Sequence, residues 1–270
     1  MQSSTEIFRY RPARFTPASP ILPIVANLPH SGLTIPIAMR RLLKPEFRIF
    51  LPNQDWHLQH LYDFLPELGI STLQATHSRY ASDLNRELTN KPYGSFWKSV
   101  IPDQTAYKLP LYETALSDQQ IQHQLDTCYH PYHQRLRQML EQQIAQFGKV
   151  LLLDLHSFGA FVDNDIILGN AKNTSCEADI FSTLNQCFVD ENFDVVQNKV
   201  FTGGYITRHY SDKQNIQTIQ IELRYELYLE EDALKKNAVP AWQSTKFDQV
   251  QKGLRAVFES LCKQMQILPG

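Results

Sequence analysis

Asp154 and His156 stand two residues apart at the polar end of an otherwise apolar run, KVLLLDLHSFG at 149–159. Side chains of an extended strand repeat every second residue, so the two share a face, and the carboxylate can orient the imidazole as carboxylates do behind zinc-bound histidines. His30 occupies the same place after the run ILPIVANL, in the turn-forming PHSG at 29–32. Glu222 interrupts a third run, TIQIELR at 218–224, where a carboxylate is costly to bury unless paired or used. If Ile221 and Leu223 face one layer, Glu222 faces the other with Gln220. Asp55 opens the helical pattern DWHLQHLYDFLPEL, in a phase close to Leu58 and Tyr62 that lets it point inward. Two histidines, a carboxylate and a spare glutamate fit a catalytic zinc site, with three protein ligands, an open water position and a base.

Each residue also has a plainer role. A histidine after a strand is more often a hydrogen-bonded structural group, Asp154 an ordinary strand-end carboxylate, and Asp55 a helix cap. Glu222 could pair with Arg79, Arg86, Arg208 or Arg224. No compact H-E-x-x-H is present, so spacing alone does not decide. Ser31 and Ser157 adjoin histidines, but neither lies in G-x-S-x-G, which disfavours a serine nucleophile.

The elements that must position these groups alternate. Strands are expected at 21–28, up to about residue 76, along KVLLLDL, in FDVVQNKVF and in TIQIELR. Between them the spacing predicts a helix from Asp55 to Gly69, and a long one over Asp118–Phe147 bent at Pro131 and capped by Gly148. A third is expected over Cys176–Glu191 with Ser175 or Thr174 as cap, and a closing amphipathic helix runs through Phe247, Leu254, Leu261 and Met265. Such alternation implies a three-layer α/β/α domain around a parallel or mixed sheet, with ligands at the carboxyl ends of its strands. One domain is expected over 1–270, and residues 87–115, which have no clean period, are expected to cover the active site as a lid.

An apolar content of 43% supplies the core of such a domain. The 26 basic and 28 acidic residues nearly cancel without long runs of one sign, which excludes the footprint of a nucleic-acid binder and favours a small ligand. Cys128, Cys176, Cys187 and Cys262 form no C-x-x-C pair, which argues against a zinc ribbon or disulfide framework and for a reducing compartment. The charged N-terminus does not read as a signal peptide, and no run approaches the roughly 20 apolar residues of a membrane span. A cytoplasmic location is expected.

Seven local sequences in order, PHSG, DWHLQHLYDF (55–64), THSRYASDLNR (76–86), PYH (131–133), DLHS (154–157), GGYITRHY (203–210) and QIEL (220–223), resemble the N-formylglutamate amidohydrolase family. The resemblance runs from about residue 22 to residue 231. It implies a fold akin to zinc-dependent exopeptidases and aspartoacylases, and hydrolysis of N-formyl-L-glutamate to formate and glutamate, an activity associated with histidine breakdown. It further implies His30, Asp55 and His156 as zinc ligands and Glu222 as the base. Zinc carboxypeptidases place their acidic ligand three residues after the first histidine, which here is Leu33, so His57 stands as a substitute for Asp55. Asn85 and Arg86 resemble the Asn-Arg pair that holds a substrate carboxylate, Arg79 the arginine that polarises the scissile carbonyl, and Arg208 a second anchor. His133 and His209 match family positions without an assignable role. The chain departs from the family in NQDWHLQ, in the residues after Glu222 and most of all in 87–115. Those departures leave another N-acyl amino acid or a small peptide as rival substrates, and a metal-binding domain without turnover as a rival of another class.

Overall fold

A computed structural model of the chain describes residues 6–17, 19–159 and 162–267. The N-terminal stretch read above begins in residues 1–5, which lie outside the described residues, as do 268–270 of the expected 1–270 domain. The described strands are β1 Phe8–Arg11, β2 Ile24–Leu28, β3 Ser71–Ala75, β4 Tyr93–Gly94, β5 Ile101–Pro102, β6 Val150–Phe158, β7 Ile166–Gly169, β8 Val195–Gln197 and β9 Ile216–Arg224. Seven of them form one sheet in the order β1-β3-β2-β6-β9-β7-β8, while β4 and β5 pair separately. β3, β2, β6 and β9 are mutually parallel; β1 and β7 join antiparallel, which makes the sheet mixed. With helices on both faces, the architecture is the expected α/β one.

Strand β6 is buried along its whole length, which is why its sequence is almost continuously apolar. Its Leu151, Leu153 and Leu155, with Ile219, Ile221 and Leu223 of β9, pack in one core with the helices Ala178–Asp190 and Thr245–Ile267. Val25, Val150 and Leu152 point the other way, into a core with the helix His130–Phe147. On that second face the strands change character toward their carboxyl ends. Asn27, Asp154, His156, Gln220 and Glu222 continue the same alternation, and all are buried.

Several elements differ from expectation for identifiable reasons. The pattern from Asp55 to Gly69 buries Leu58, Leu61, Tyr62 and Leu65 as required, but through two short turns, Leu58–Leu61 and Leu65–Leu68, rather than one helix. His57 is left-handed at φ 58° and Pro66 has no N–H to give, so a continuous ladder cannot form there. The long helix is continuous from Asp118 to Phe147, and its irregularity is a π-turn at Leu125–Tyr129 rather than a bend at Pro131. Pro131 cannot donate to the carbonyl of Thr127 and its ring crowds that oxygen; the wider turn just upstream makes room. The helix expected from Cys176 starts at Ala178, with no side-chain cap from Ser175 or Thr174. β1 and β7 are short and were not signalled by the sequence. Within residues 87–115, Phe96, Val100, Ile101 and Leu111 are buried in the second core.

Gly32 of PHSG shows how tightly the first site loop is docked: a Cβ there would lie 2.3 Å from the Thr76 carbonyl carbon. Gly32→Ala is expected to cost about 3 kcal/mol by overpacking against backbone, read as a lower midpoint at unchanged slope in urea unfolding.

Candidate active site

Three loops or strand ends meet above the polar face of the sheet. His30 follows β2, His156 lies in β6, and Asp55 arrives on the loop before Leu58–Leu61. Each offers one donor atom, and the three donors lie within 4.8 Å of one another. Asp55 Oδ2 is 2.9 Å from His156 Nδ1 and 3.8 Å from His30 Nδ1, and it also accepts from the Ser157 backbone N–H at 3.2 Å. His30 Nδ1 is buried and has no hydrogen-bond partner. Each far nitrogen lies beside a carboxylate: His30 Nε2 is hydrogen-bonded to Asp83 Oδ1 at 2.8 Å, and His156 Nε2 is 3.2 Å from Asp154 Oδ2. An orphaned imidazole nitrogen facing a carboxylate, with its other nitrogen braced, fits a metal ion with nitrogen and oxygen ligands.

The charges are set by burial and by one another. Burial and the Arg79 charge bring His30 down to about 4, so its imidazole is neutral near pH 7, the form that binds metals. Burial would lower His156 too, but Asp154 and Asp55 outweigh it and raise it well above the usual range. Asp55 is lowered despite burial by the His156 hydrogen bond and the charges of His30, His156 and Arg79. Burial pushes the Glu222 carboxyl up to about 8, against the opposing charge of His156.

Glu222 stands beside His156 because β6 and β9 pair in parallel with His156 opposite Glu222 and Asp154 opposite Gln220. Ile221 and Leu223 do face the opposite core. Glu222 Oε1 accepts from Gln220 Nε2 at 2.7 Å, so its hydrogen-bond partner is an amide and not an arginine. The carbonyl oxygen of Gln220 in turn accepts from Gly204 N–H. Arg79 Nη2 donates to Asp83 Oδ2 at 2.6 Å, and its Nη1 is 4.0 Å from Asp55. Arg86 Nη2 is 3.7 Å from Asp83, and its Nε is buried without a partner. Asn85 accepts from Ile206 N–H at 2.8 Å and places Nδ2 3.1 Å from His156 Nε2.

These groups open on a cavity of about 480 Å³, lined also by Phe96, Trp97, Lys98 and Arg208. Arg208 reaches it from the short helix Tyr205–Tyr210. Phe96, Trp97 and Lys98 of the 87–115 segment thus form part of the wall. The one substitute considered for Asp55 is turned away: His57 Nε2 donates to the Pro240 carbonyl at 2.7 Å. His209 stacks on Tyr205 at 4.6 Å and does not line the cavity. Ser31 directs its hydroxyl at the Leu28 carbonyl.

Asp83 is not singled out by the sequence pattern. It lies within the matched DLNR, yet no role was drawn for it, although it holds His30, Arg79 and Arg86 together. Its spacing of four from Arg79 and three from Arg86 was the available signal. Gln220 was noticed only as sharing a face with Glu222. His133 is buried behind this cluster; its Nε2 donates to the Leu84 carbonyl at 3.0 Å, and its Nδ1 accepts from the Tyr210 hydroxyl at 2.8 Å. It ties the long helix to the turn that carries Asn85.

Open α/β sheets take their ligands at the carboxyl ends of their strands, and that edge here carries buried carboxyl, imidazole and guanidinium side chains around a candidate metal-binding cluster. Comparison with known proteins narrows the class. The chain belongs to the N-formylglutamate amidohydrolase family, whose model matches residues 22–229. It is 35% identical over 222 residues to the N-formylglutamate deformylase of Pseudomonas putida, covering 78% of this chain and 83% of that protein. The N-formylglutamate deformylase of Pseudomonas aeruginosa is also 35% identical, over 224 residues, 78% of this chain and 84% of its own length. The fold is shared with the solved N-formylglutamate amidohydrolase of Ralstonia eutropha, at a TM-score of 0.78 and 22% identity over 96% of this chain and 98% of that one.

His133 gives a pH prediction. Burial lowers it to about 4, so between pH 6.5 and about 4 the unfolded chain binds a proton there that the folded chain does not. Stability conferred by the neutral ring is complete above 6.5 and falls as pH drops through this window, by up to about 3 kcal/mol. His133→Gln should flatten the decline of melting temperature from pH 6.5 to 4.5 relative to the parent; parallel curves would refute the assignment.

Proposed function

We propose that the chain hydrolyses N-formyl-L-glutamate to formate and L-glutamate, with one zinc ion held by His30, Asp55 and His156. The observation that carries this reading is the buried His-Asp-His cluster at the floor of an arginine-walled cavity, in a chain one-third identical to two N-formylglutamate deformylases. When bound, zinc polarises a carbonyl and lowers the pKa of a water toward about 7. Glu222 takes a proton from the water as its oxygen attacks the formyl carbon, and its burial makes it a stronger base than an exposed carboxylate. Arg79 donates to the oxyanion that develops on the formyl oxygen. As the C–N bond breaks, Glu222 passes the proton to the departing amine.

The substrate carries two carboxylates, and the cavity wall offers guanidiniums that suit them. Arg86 Nε and the Asn85 amide hold one; Arg208 at the rim holds the other. Asp154 and Asp83 orient the two histidines from behind. The four cysteines are buried and unpaired, in keeping with a reducing, cytoplasmic location. No helix among the described residues is long and apolar enough to cross a membrane. The wall formed by Phe96 and Trp97 favours one second reading: hydrolysis of another N-acyl amino acid or small peptide.

Metal analysis coupled to formate release from N-formylglutamate tests the proposal, with release of acetate and free amino acids from a substrate panel separating the second reading. Full activity in protein stripped of metal would exclude the zinc mechanism. Glu222→Gln should retain metal and lose about 10²- to 10⁴-fold in kcat. Arg208→Ala should raise KM for N-formylglutamate about 10- to 100-fold while sparing kcat, as expected for a charged hydrogen bond made equally before and during reaction.

A further inference from the structure

The PYH stretch at 131–133 contains a second group that the chemistry above does not use. Tyr132 leaves the long helix, reaches the sheet and donates from its hydroxyl to Asn27 Oδ1 at 2.6 Å. Asn27 Nδ2 donates to Asp154 Oδ1 at 2.8 Å, and the other oxygen of Asp154 lies 3.2 Å from His156 Nε2. Tyr132, Asn27 and Asp154 are each 0% exposed. We propose that Tyr132, acting through Asn27 and Asp154, is a positioning residue that fixes the His156 ring and thereby strengthens metal binding. The inference rests on the reading of His30, Asp55 and His156 as metal ligands.

The physical case is one of direction. A carboxamide has one accepting and one donating end, and in a dry sheet nothing but its neighbours decides which way it points. The Tyr132 hydroxyl marks the accepting end, so the donating end must face Asp154; the reverse orientation would set two oxygens against each other. Donation from Tyr132 also polarises the amide, so that Asn27 becomes a better donor to Asp154. With Oδ1 engaged, Asp154 keeps Oδ2 3.2 Å from His156 Nε2, on the far side of the ring from Nδ1, the atom that faces Asp55. β2 and β6 are parallel neighbours with Asn27 opposite Asp154, so the middle link is fixed by sheet register and only its outer end depends on the helix.

The test is zinc affinity of the full-length, metal-stripped chain, measured at fixed pH by competition with a chromophoric chelator. Changing a group one bond from a metal ligand typically costs 10- to 100-fold in affinity, and that is expected of Asp154→Asn. Tyr132→Phe, one link further out, should weaken zinc binding about three- to tenfold, with Asn27→Leu at least as severe. Tyr112→Phe is the control, because Tyr112 is also buried and its hydroxyl has no hydrogen-bond partner; it should match the parent. Parental affinity in Tyr132→Phe, or a loss no greater than in the control, overturns the inference and leaves the metal reading standing. A parent chain that binds no zinc overturns both. If Tyr132→Phe fails to fold, Asn27→Leu reads the same link with the same two outcomes.

Discussion

Parallel strands set residues of equal phase side by side, and in this chain the pairing of β6 with β9 sets His156 beside Glu222 and Asp154 beside Gln220. A slip of one residue would turn Glu222 into the core lined by Leu153, Leu155 and Ile219, where no polar partner awaits it. The apolar side chains on the opposite face of both strands therefore act as the ruler for the chemistry. The loops bearing His30, Asp55 and Arg79 need only to reach this fixed edge, and the close docking of Gly32 on Thr76 helps to hold them there.

Charge balance is the second constraint. Asp55, Asp83, Asp154 and Glu222 bring four carboxylates into one buried region, against the guanidiniums of Arg79 and Arg86. Burial holds the Glu222 carboxyl up at about 8, so a cation bound at the His-Asp-His cluster would favour its ionised form. Asp83 carries the largest share of the balancing, since one oxygen faces His30 and the other faces both arginines. Arg79 and Arg86 hold it well below the usual carboxylate range despite its burial.

What could be read from the sequence followed from periodicity and from local pattern. Alternation in LLLDLHS and QIEL correctly placed Asp154, His156, Gln220 and Glu222 on shared faces, and the apolar runs located β2, β6 and β9. Distances between separate runs were not legible, because nothing in His30 or Asp55 states that their loops meet; motif order supplied that. Asp83 escaped because a carboxylate beside two arginines looks the same whether it is solvated or is the hub of a buried cluster. Helical spacing at 55–68 misled because burial of Leu58, Leu61 and Leu65 can be met by two turns as well as by one helix. Tyr132 reads as an ordinary core position and His133 as a matched position without an assignable role, and only the structure reveals where the hydroxyl and the ring nitrogens go.

The π-turn at Leu125–Tyr129 amounts to one residue more than a regular helix needs, which rotates everything before it by about 100° relative to everything after. Downstream, Tyr132 and His133 are anchored to the sheet and to the Leu84 carbonyl, and within the turn Tyr129 donates to the Arg86 carbonyl at 2.8 Å. Upstream, most of Asp118–His123 faces solvent. The helix is thus phase-locked at one end and idle at the other, so insertions and deletions before Leu125 can be absorbed at the surface, whereas a single one after Tyr129 would turn both anchors away from the site at once.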